Sequence, residues 1–346
     1  MRKLIILLIL ACLNGPFAAA QNPEPVALSD SSSWCMVLIP DPQTYTKFDY
    51  NHPTFELMMH WIKQNKRRLN IRLVLCTGDL VEQNQRTVPD GVNGNLPSDK
   101  QWQFVSDAFG ILDDVVPYIL CTGNHDHGFD RAENRYSQLN SFFPANRKSL
   151  YTGLLKGMFK NAWYEFQAPG GDRFLIVSLE FNPRAAVVAE AKALANKPEY
   201  SEHKVIYLTH SYMDSKGRRI EKEGYKITDV TCGKALWEKL VEPSANSSMV
   251  LCGHVVDEMS HRGHVGFRTD KNRAGRTVNQ MMFNAQAEGG GWHGNGGDGW
   301  LRILEFHPDG KTVTVHTFSP LFAVSPSTVG LSLRTEPYDH FSFSLE

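Results

Sequence analysis

The sequence predicts an α/β fold in which two packed β-sheets are flanked by helices within one domain, from about Ser33 to the C-terminus. Three observations predict it. Helical and strand-like segments alternate over most of the chain, and strand texture dominates after Gly275. Three apolar runs end alike in Cys, then Gly, then a potential metal ligand: Leu73-Val74-Leu75-Cys76-Thr77-Gly78-Asp79, Leu120-Cys121-Thr122-Gly123-Asn124-His125-Asp126 and Met249-Val250-Leu251-Cys252-Gly253-His254. The 346 residues are 42% hydrophobic and 21% charged, an ordinary globular composition long enough for a large core in one or two domains.

Residues 1–20 stand apart. Arg2 and Lys3 form a short basic start, 4–13 is an apolar run too short to span a bilayer, and Asn14-Gly15-Pro16 breaks it before Ala18-Ala19-Ala20. This is the pattern of a secretory signal peptide, with Gln21 as the mature start and 21–33 as an aperiodic tail ahead of a domain over 34–346. The expected localisation is secreted or periplasmic. An uncleaved anchor fits poorly with the short core and helix breakers, and lipoprotein processing at Cys12 ranks below plain secretion because Leu10 is bulky for that role. No membrane span is expected once the signal is removed. Without Arg2 and Lys3 the chain carries 34 basic and 37 acidic residues, a formal charge of −3. It has no basic tail or block, so no nucleic-acid scaffold is indicated as a partner. Of six cysteines, Cys12 leaves with the signal, and the odd five argue against a disulfide framework. Cys76, Cys121 and Cys252 read as small buried hydrophobes, while Cys35 and Cys232 could pair.

In chain order, 34–39 is a first strand ending at Pro40-Asp41-Pro42-Gln43. A helix starts near Pro53, where proline suits the first turn; Phe55, Met58, Met59 and Ile62 form its apolar face, and Lys66-Arg67-Arg68 complements its dipole. Strand two is 71–77. Residues 83–98 are polar and rich in Asn, Gly and Pro, a surface insertion, after which Ser98 or Asp99 caps a helix to about Leu112. Strand three is 117–121, and 130–143 reads as helical. Segments 163–167 and 174–180 form a strand pair, 184–196 an Ala-rich helix, 204–209 a strand ending at His210, 231–240 a helix, and 249–252 the strand ending at His254. Segments 277–285, 300–306 and 312–318 read as antiparallel strands. Trp61, Phe109 and Trp237 fall at core positions, and His261 and His264 read as surface residues. The loop 289–299 lacks the Gly-Lys-Ser/Thr ending of a phosphate loop. It reads first as a flexible connection and second as a mobile rim of the site, with Trp292 and His293 at its tip.

Chemistry-bearing residues follow the strands: Asp41 and Gln43, Asp79, Asn124 with His125, His210, and His254. In α/β sheets the carboxyl ends of strands converge on one crevice. Asp, Asn and His without thiolate make a mixed oxygen and nitrogen site suited to hard or borderline divalent metals, such as Mn, Fe, Zn or Mg. Taken singly, each residue is an ordinary turn or capping residue; jointly they are not.

Asp41-x-Gln43, Gly78-Asp79, Gly123-Asn124-His125-Asp126, the isolated His210 and Gly253-His254 resemble, in order and spacing, the calcineurin-like metallophosphoesterases, as a secreted bacterial-type member with an Asp-x-Gln first block. The resemblance covers 38 to about 256. It implies a four-layer αββα sandwich of two mixed sheets and a phosphoesterase that cleaves phosphate mono- or diesters by attack of a metal-activated hydroxide. Asp79 is expected to bridge two divalent metals, Asp41 to join it at the first, and Asn124, His210 and His254 to complete the second. His125 is expected to touch the phosphate and protonate the leaving oxygen, with Asp126 orienting it. Two departures stand out: Gln43 replaces a histidine, and Val256 replaces the second histidine of a Gly-His-x-His block. The first metal is left with Asp41, Asp79 and the Gln43 amide oxygen, so one or two metals are expected, the first weak, exchangeable or absent. The alternative reading is a catalytically weakened single-metal relative that binds a phosphorylated ligand. The expected partner is a phosphorylated small-molecule or macromolecular substrate; mild acidity and secretion weigh against a cytosolic signalling phosphatase.

Overall fold

The structure is a computed structural model in which residues 26–144, 150–257 and 259–346 are described. The expected signal peptide and the start of the tail lie outside the described residues. The strands, in chain order, are β1 (Trp34–Ile39), β2 (Ile71–Cys76), β3 (Tyr118–Leu120), β4 (Tyr151–Leu155), β5 (Met158–Gln167), β6 (Arg173–Ser178) and β7 (Lys204–Leu208). They continue as β8 (Ser247–Cys252), β9 (Val265–Lys271), β10 (Thr277–Phe283), β11 (Leu301–Phe306), β12 (Thr312–Phe318), β13 (Leu333–Arg334) and β14 (Phe341–Ser344). They form two seven-stranded mixed sheets. One runs β13-β12-β11-β1-β2-β3 with β14 on β12, and the other runs β4-β5-β6-β7-β8-β10-β9.

Alternation within the strands builds the layers. In β1, Trp34, Met36 and Leu38 face the core between the sheets, while Cys35, Val37 and Ile39 pack with Phe55 and Ile62 of the helix His52–Asn65 and Phe109 of the helix Ser98–Gly110. In β8, Met249 and Leu251 face the same central core, and Val250 and Cys252 pack with Val187 and Ala191 of the helix Ala185–Ala195. Side chains of period two, apolar on both faces, are what a strand buried between a helix layer and a second sheet requires. The result is helix, sheet, sheet, helix. β1, β2 and β3 are parallel neighbours, as are β6, β7, β8 and β10, so the residues that follow their carboxyl ends can be gathered at one edge. Among the described residues no helix is long and apolar enough to cross a membrane.

Several expectations are corrected. Helix over 130–143 reduces to one turn, Leu139–Phe142, because the Glu133 carboxylate accepts the N–H groups of Phe129 at 3.0 Å and of Asp130 and Arg131 at 3.2 Å, which holds turns instead. The 231–240 helix starts at Gly233 and passes into a wider π turn over Trp237–Val241. β10 lies in the second sheet, parallel to β8 and antiparallel to β9, apart from β11 and β12. The five cysteines of the described chain are free and buried, so Cys35 and Cys232 do not pair. His261 and His264 are buried, His261 against the Asp339 carboxylate at 3.0 Å.

Candidate metal centre

Asp79 follows β2 in a left-handed conformation, φ +50°, and His254 follows β8 at φ +72°. Non-glycine residues rarely adopt such backbones outside sites that over-determine them. Close approach explains the glycines that precede the other ligands. A Cβ on Gly123 would stand 2.0 Å from the Asp79 carboxylate, and one on Gly253 would stand 2.1 Å from the Asp41 carboxylate. The strand ends are pressed together so tightly that only backbone fits between them.

At the centre is Nε2 of His210. It lies 3.1 Å from Asp79 Oδ2, 3.1 Å from Asn124 Oδ1 and 3.0 Å from Nδ1 of His254. One ligand atom each from Asp79, His210 and His254 falls within 4.8 Å of the others. The outer nitrogens are committed elsewhere. His210 Nδ1 donates to the Thr77 carbonyl at 2.8 Å, and His254 Nε2 faces Glu223 Oε1 at 3.3 Å. These partners turn His210 Nε2 and His254 Nδ1 inward, the arrangement that orients imidazoles at metal sites. A carboxylate, two imidazoles and an amide oxygen aimed at one point fit a borderline divalent cation.

Asp41 adjoins this group, 3.8 Å from His210 Nδ1, but its oxygens are engaged by the protein. Asp41 Oδ1 accepts the Thr77 hydroxyl at 2.7 Å, and Oδ2 accepts the His254 N–H at 2.8 Å and the Asn284 amide at 2.7 Å. Three protein donors thus occupy the carboxylate expected at the first metal. Gln43 is buried, and its Oε1 has no hydrogen-bond partner among the described residues.

The charges are strongly coupled. Burial raises the Asp41 carboxyl to about 6, with His210 and the Thr77 hydrogen bond pulling the other way. Burial would also raise Asp79, but the imidazoles of His210 and His125 hold it well below the usual carboxylate range. Burial disfavours the His210 cation, yet Asp79 and Asp41 raise that imidazole to about 10. A site in which a proton is held between two carboxylates is one where a metal cation can replace it.

His125 sits beside the group, its backbone N–H donating to Asp79 Oδ1 at 2.9 Å. Its Nδ1 donates to the Glu82 carbonyl at 2.6 Å, which leaves Nε2 free. Burial lowers this imidazole, against the pull of Asp79, so its neutral form is favoured. The orienting role expected of Asp126 falls to Glu82 instead. Asp126 accepts the N–H groups of Gly123 and Leu80 at 2.8 Å and of Val81 at 3.2 Å, tying the Asp79 turn to the Asn124 loop. The glycine-rich loop brings Trp292 to 6.2 Å from the His125 ring, with Lys47 Nζ 3.3 Å from the indole centroid.

Glu223, Asn284, Glu82 and Thr77 escaped the sequence reading. Asn284 had a signal: it ends the apolar strand Met281-Met282-Phe283 as the recognised ligands end theirs. Glu223 lies in an aperiodic stretch, and Glu82 acts on His125 through a backbone carbonyl, which carries no side-chain signature.

Comparison with known proteins identifies the family. The family model for calcineurin-like phosphoesterases matches residues 38–258. An uncharacterized protein of Bacillus subtilis (strain 168), YvnB, is 26% identical over 292 residues, 83% of this chain and 20% of that protein, so the chain spans about a fifth of that relative's length. Among solved structures, GAP50, the anchor in the inner membrane complex of Plasmodium, is similar at a TM-score of 0.40 and 10% identity, over 83% of this chain and 85% of that one. The family match covers well over half of the sequence and contains Asp41, Asp79, Asn124, His210 and His254, and the chain belongs to the calcineurin-like phosphoesterase family.

Proposed function

We propose that the protein is an exported, metal-dependent phosphoesterase that hydrolyses phosphate monoesters or diesters of small or macromolecular substrates. The observation that carries this reading is the convergence of Asp79, Asn124, His210 and His254 around His210 Nε2, with the outer nitrogens of both imidazoles already committed. A divalent cation held there would supply Lewis acidity to a phosphoryl oxygen and to an attacking water. The chain's own residues do the rest. Asn124 and His125 present an amide and an imidazole to the phosphate. The Glu82 carbonyl holds His125 through Nδ1–H, so Nε2 of the neutral ring carries a lone pair; protonated from solvent under the charge of a bound phosphate, it would pass that proton to the leaving oxygen. Asp126 and Thr77 keep the strand ends in register. The first twenty residues support export.

A second reading, a weakened single-metal relative that binds a phosphorylated ligand, draws support from Asp41, whose oxygens are taken by Thr77, His254 and Asn284. The two separate on turnover. After chelation and reloading with Mn, Fe, Zn or Mg, a chromogenic phosphomonoester or phosphodiester should be hydrolysed in a metal-dependent way. Binding of phosphate without turnover of either ester supports the second reading.

A further inference from the structure

Beside His125 the structure holds a cation that the fold does not use. Arg131 is exposed, and its guanidinium makes no hydrogen bond or ion pair with any described residue. Its loop is fixed nonetheless. The Arg131 N–H is bound by the Glu133 carboxylate at 3.2 Å, the Ala132 N–H donates to the His127 carbonyl at 2.8 Å, and the Ala132 carbonyl accepts the Ile227 N–H at 3.2 Å. The neighbouring carboxylate does not neutralise it, because Asp130 is gripped by Arg86 through two bonds of 2.9 and 2.8 Å. A guanidinium that pairs with none of the described residues, on a backbone held at several points, is pre-organised for an anion from outside.

Its surroundings say which anion. Arg131 lines a cavity of about 60 Å³ together with Glu82, Gln83, Asn93, His125 and Asp130. Asp79, His210 and His254 do not line it, and His125, whose backbone N–H is bound by Asp79, is the group that joins the cavity to the metal ligands. The charge of Arg131 acts on His125 and on Glu82. Glu82 is 2% exposed, and its Oε2 has no hydrogen-bond partner among the described residues. Burial, against the pull of Lys47, raises the Glu82 carboxyl well above its usual value, which makes it a neutral donor rather than a competing anion. A substrate whose scissile phosphate lies between the metal ligands and His125 would therefore extend its leaving portion towards Arg131.

We propose that Arg131 is a specificity-determining residue that receives a second phosphate, carried on the leaving-group side of the scissile phosphoester. The inference rests on the phosphoesterase reading and on His125 facing the leaving oxygen. The substrates it selects are bisphosphorylated compounds, in preference to esters that carry one phosphate alone.

The test uses the metal-loaded full chain and two matched comparisons, with metal held in excess. In the first, kcat/KM is measured for release of the 3′-phosphate from adenosine 3′,5′-bisphosphate and from adenosine 3′-monophosphate. In the second, calorimetry compares binding of methylenebisphosphonate and methylphosphonate, neither of which is hydrolysed. The wild type is expected to prefer the doubly charged member of each pair. Arg131→Ala should reduce that preference roughly tenfold to hundredfold, the worth of a charge-assisted hydrogen bond, and Arg131→Lys should keep part of it. A preference absent from the wild type, or unchanged in Arg131→Ala, overturns the inference while leaving the phosphoesterase reading in place. If neither nucleotide is hydrolysed but the phosphonate preference depends on Arg131, the leaving-group assignment is overturned and only an anion contact remains; the phosphoesterase reading is decided separately by the chromogenic esters.

Discussion

Nε2 of His210 stands 3.0 Å from Nδ1 of His254, and each ring turns its other nitrogen outward, to the Thr77 carbonyl at 2.8 Å and to Glu223 at 3.3 Å. Two imidazole lone pairs cannot face each other at that distance without a cation between them, whether proton or metal. The outer partners decide which nitrogen points inward, so the site is built as much by Thr77 and Glu223 as by the ligands themselves.

Glu223 is the partner that mutation can reach, since Thr77 acts through its backbone. Glu223→Ala is expected to weaken metal binding roughly 10–100-fold with the fold intact, as loss of an orienting carboxylate does at metal-bound histidines. Competition against a chromogenic chelator reads this directly; unchanged affinity would remove Glu223 from the account.

Metal binding should release a proton. With no metal, Asp79 and Asp41 raise the His210 imidazole to about 10, so it is protonated at neutral pH. It must become neutral to ligate. Apparent affinity should therefore rise with pH up to about 10. Calorimetry in two buffers of different ionisation enthalpy should show about one proton released per metal at neutral pH. No buffer dependence would mean that His210 is already neutral or does not ligate.

Asn284 and Asp41 form a structural pair. Asn284→Ala removes one of three donors from a fully buried carboxylate and is expected to cost about 1–3 kcal/mol of stability, read by chemical denaturation. Stability within a few tenths of the wild type would show that Asp41 does not depend on its protein donors.

His125 should matter for rate and not for metal. His125→Ala is expected to lower kcat about 10²–10⁴-fold with metal affinity little changed. An unchanged rate would refute the assignment of Nε2 as proton donor, and lost metal would move His125 into the ligand set.

Much of this was legible in the chain. The strand ends carrying Asp79, Asn124, His210 and His254 could be read because a buried strand passing through glycine into a ligand has few structural uses. The apolar faces of the helices His52–Asn65 and Ser98–Gly110 were legible for the same reason, periodicity against burial. What failed did so where one local contact outweighs a pattern. Glu133 captured three backbone N–H groups and stopped a helix that composition favoured. Glu82 reached His125 through a carbonyl, and Asp126 spent its carboxylate on loop amides. Strand β9 escaped because its exposed and buried residues alternate weakly at a sheet edge. Partners contributed by distant segments, as Glu223 is to His254, have no periodicity to betray them.

The central proposal is that Asp79, Asn124, His210 and His254 form the strong metal site among the described residues, with Asp41 held by Thr77, His254 and Asn284. Counting metal after chelation, reloading and equilibrium dialysis tests it most directly. The prediction is close to one tightly held divalent ion per chain, lost in His210→Ala and retained in Asn284→Ala. Two tightly held ions per chain, or one that survives His210→Ala, would contradict it.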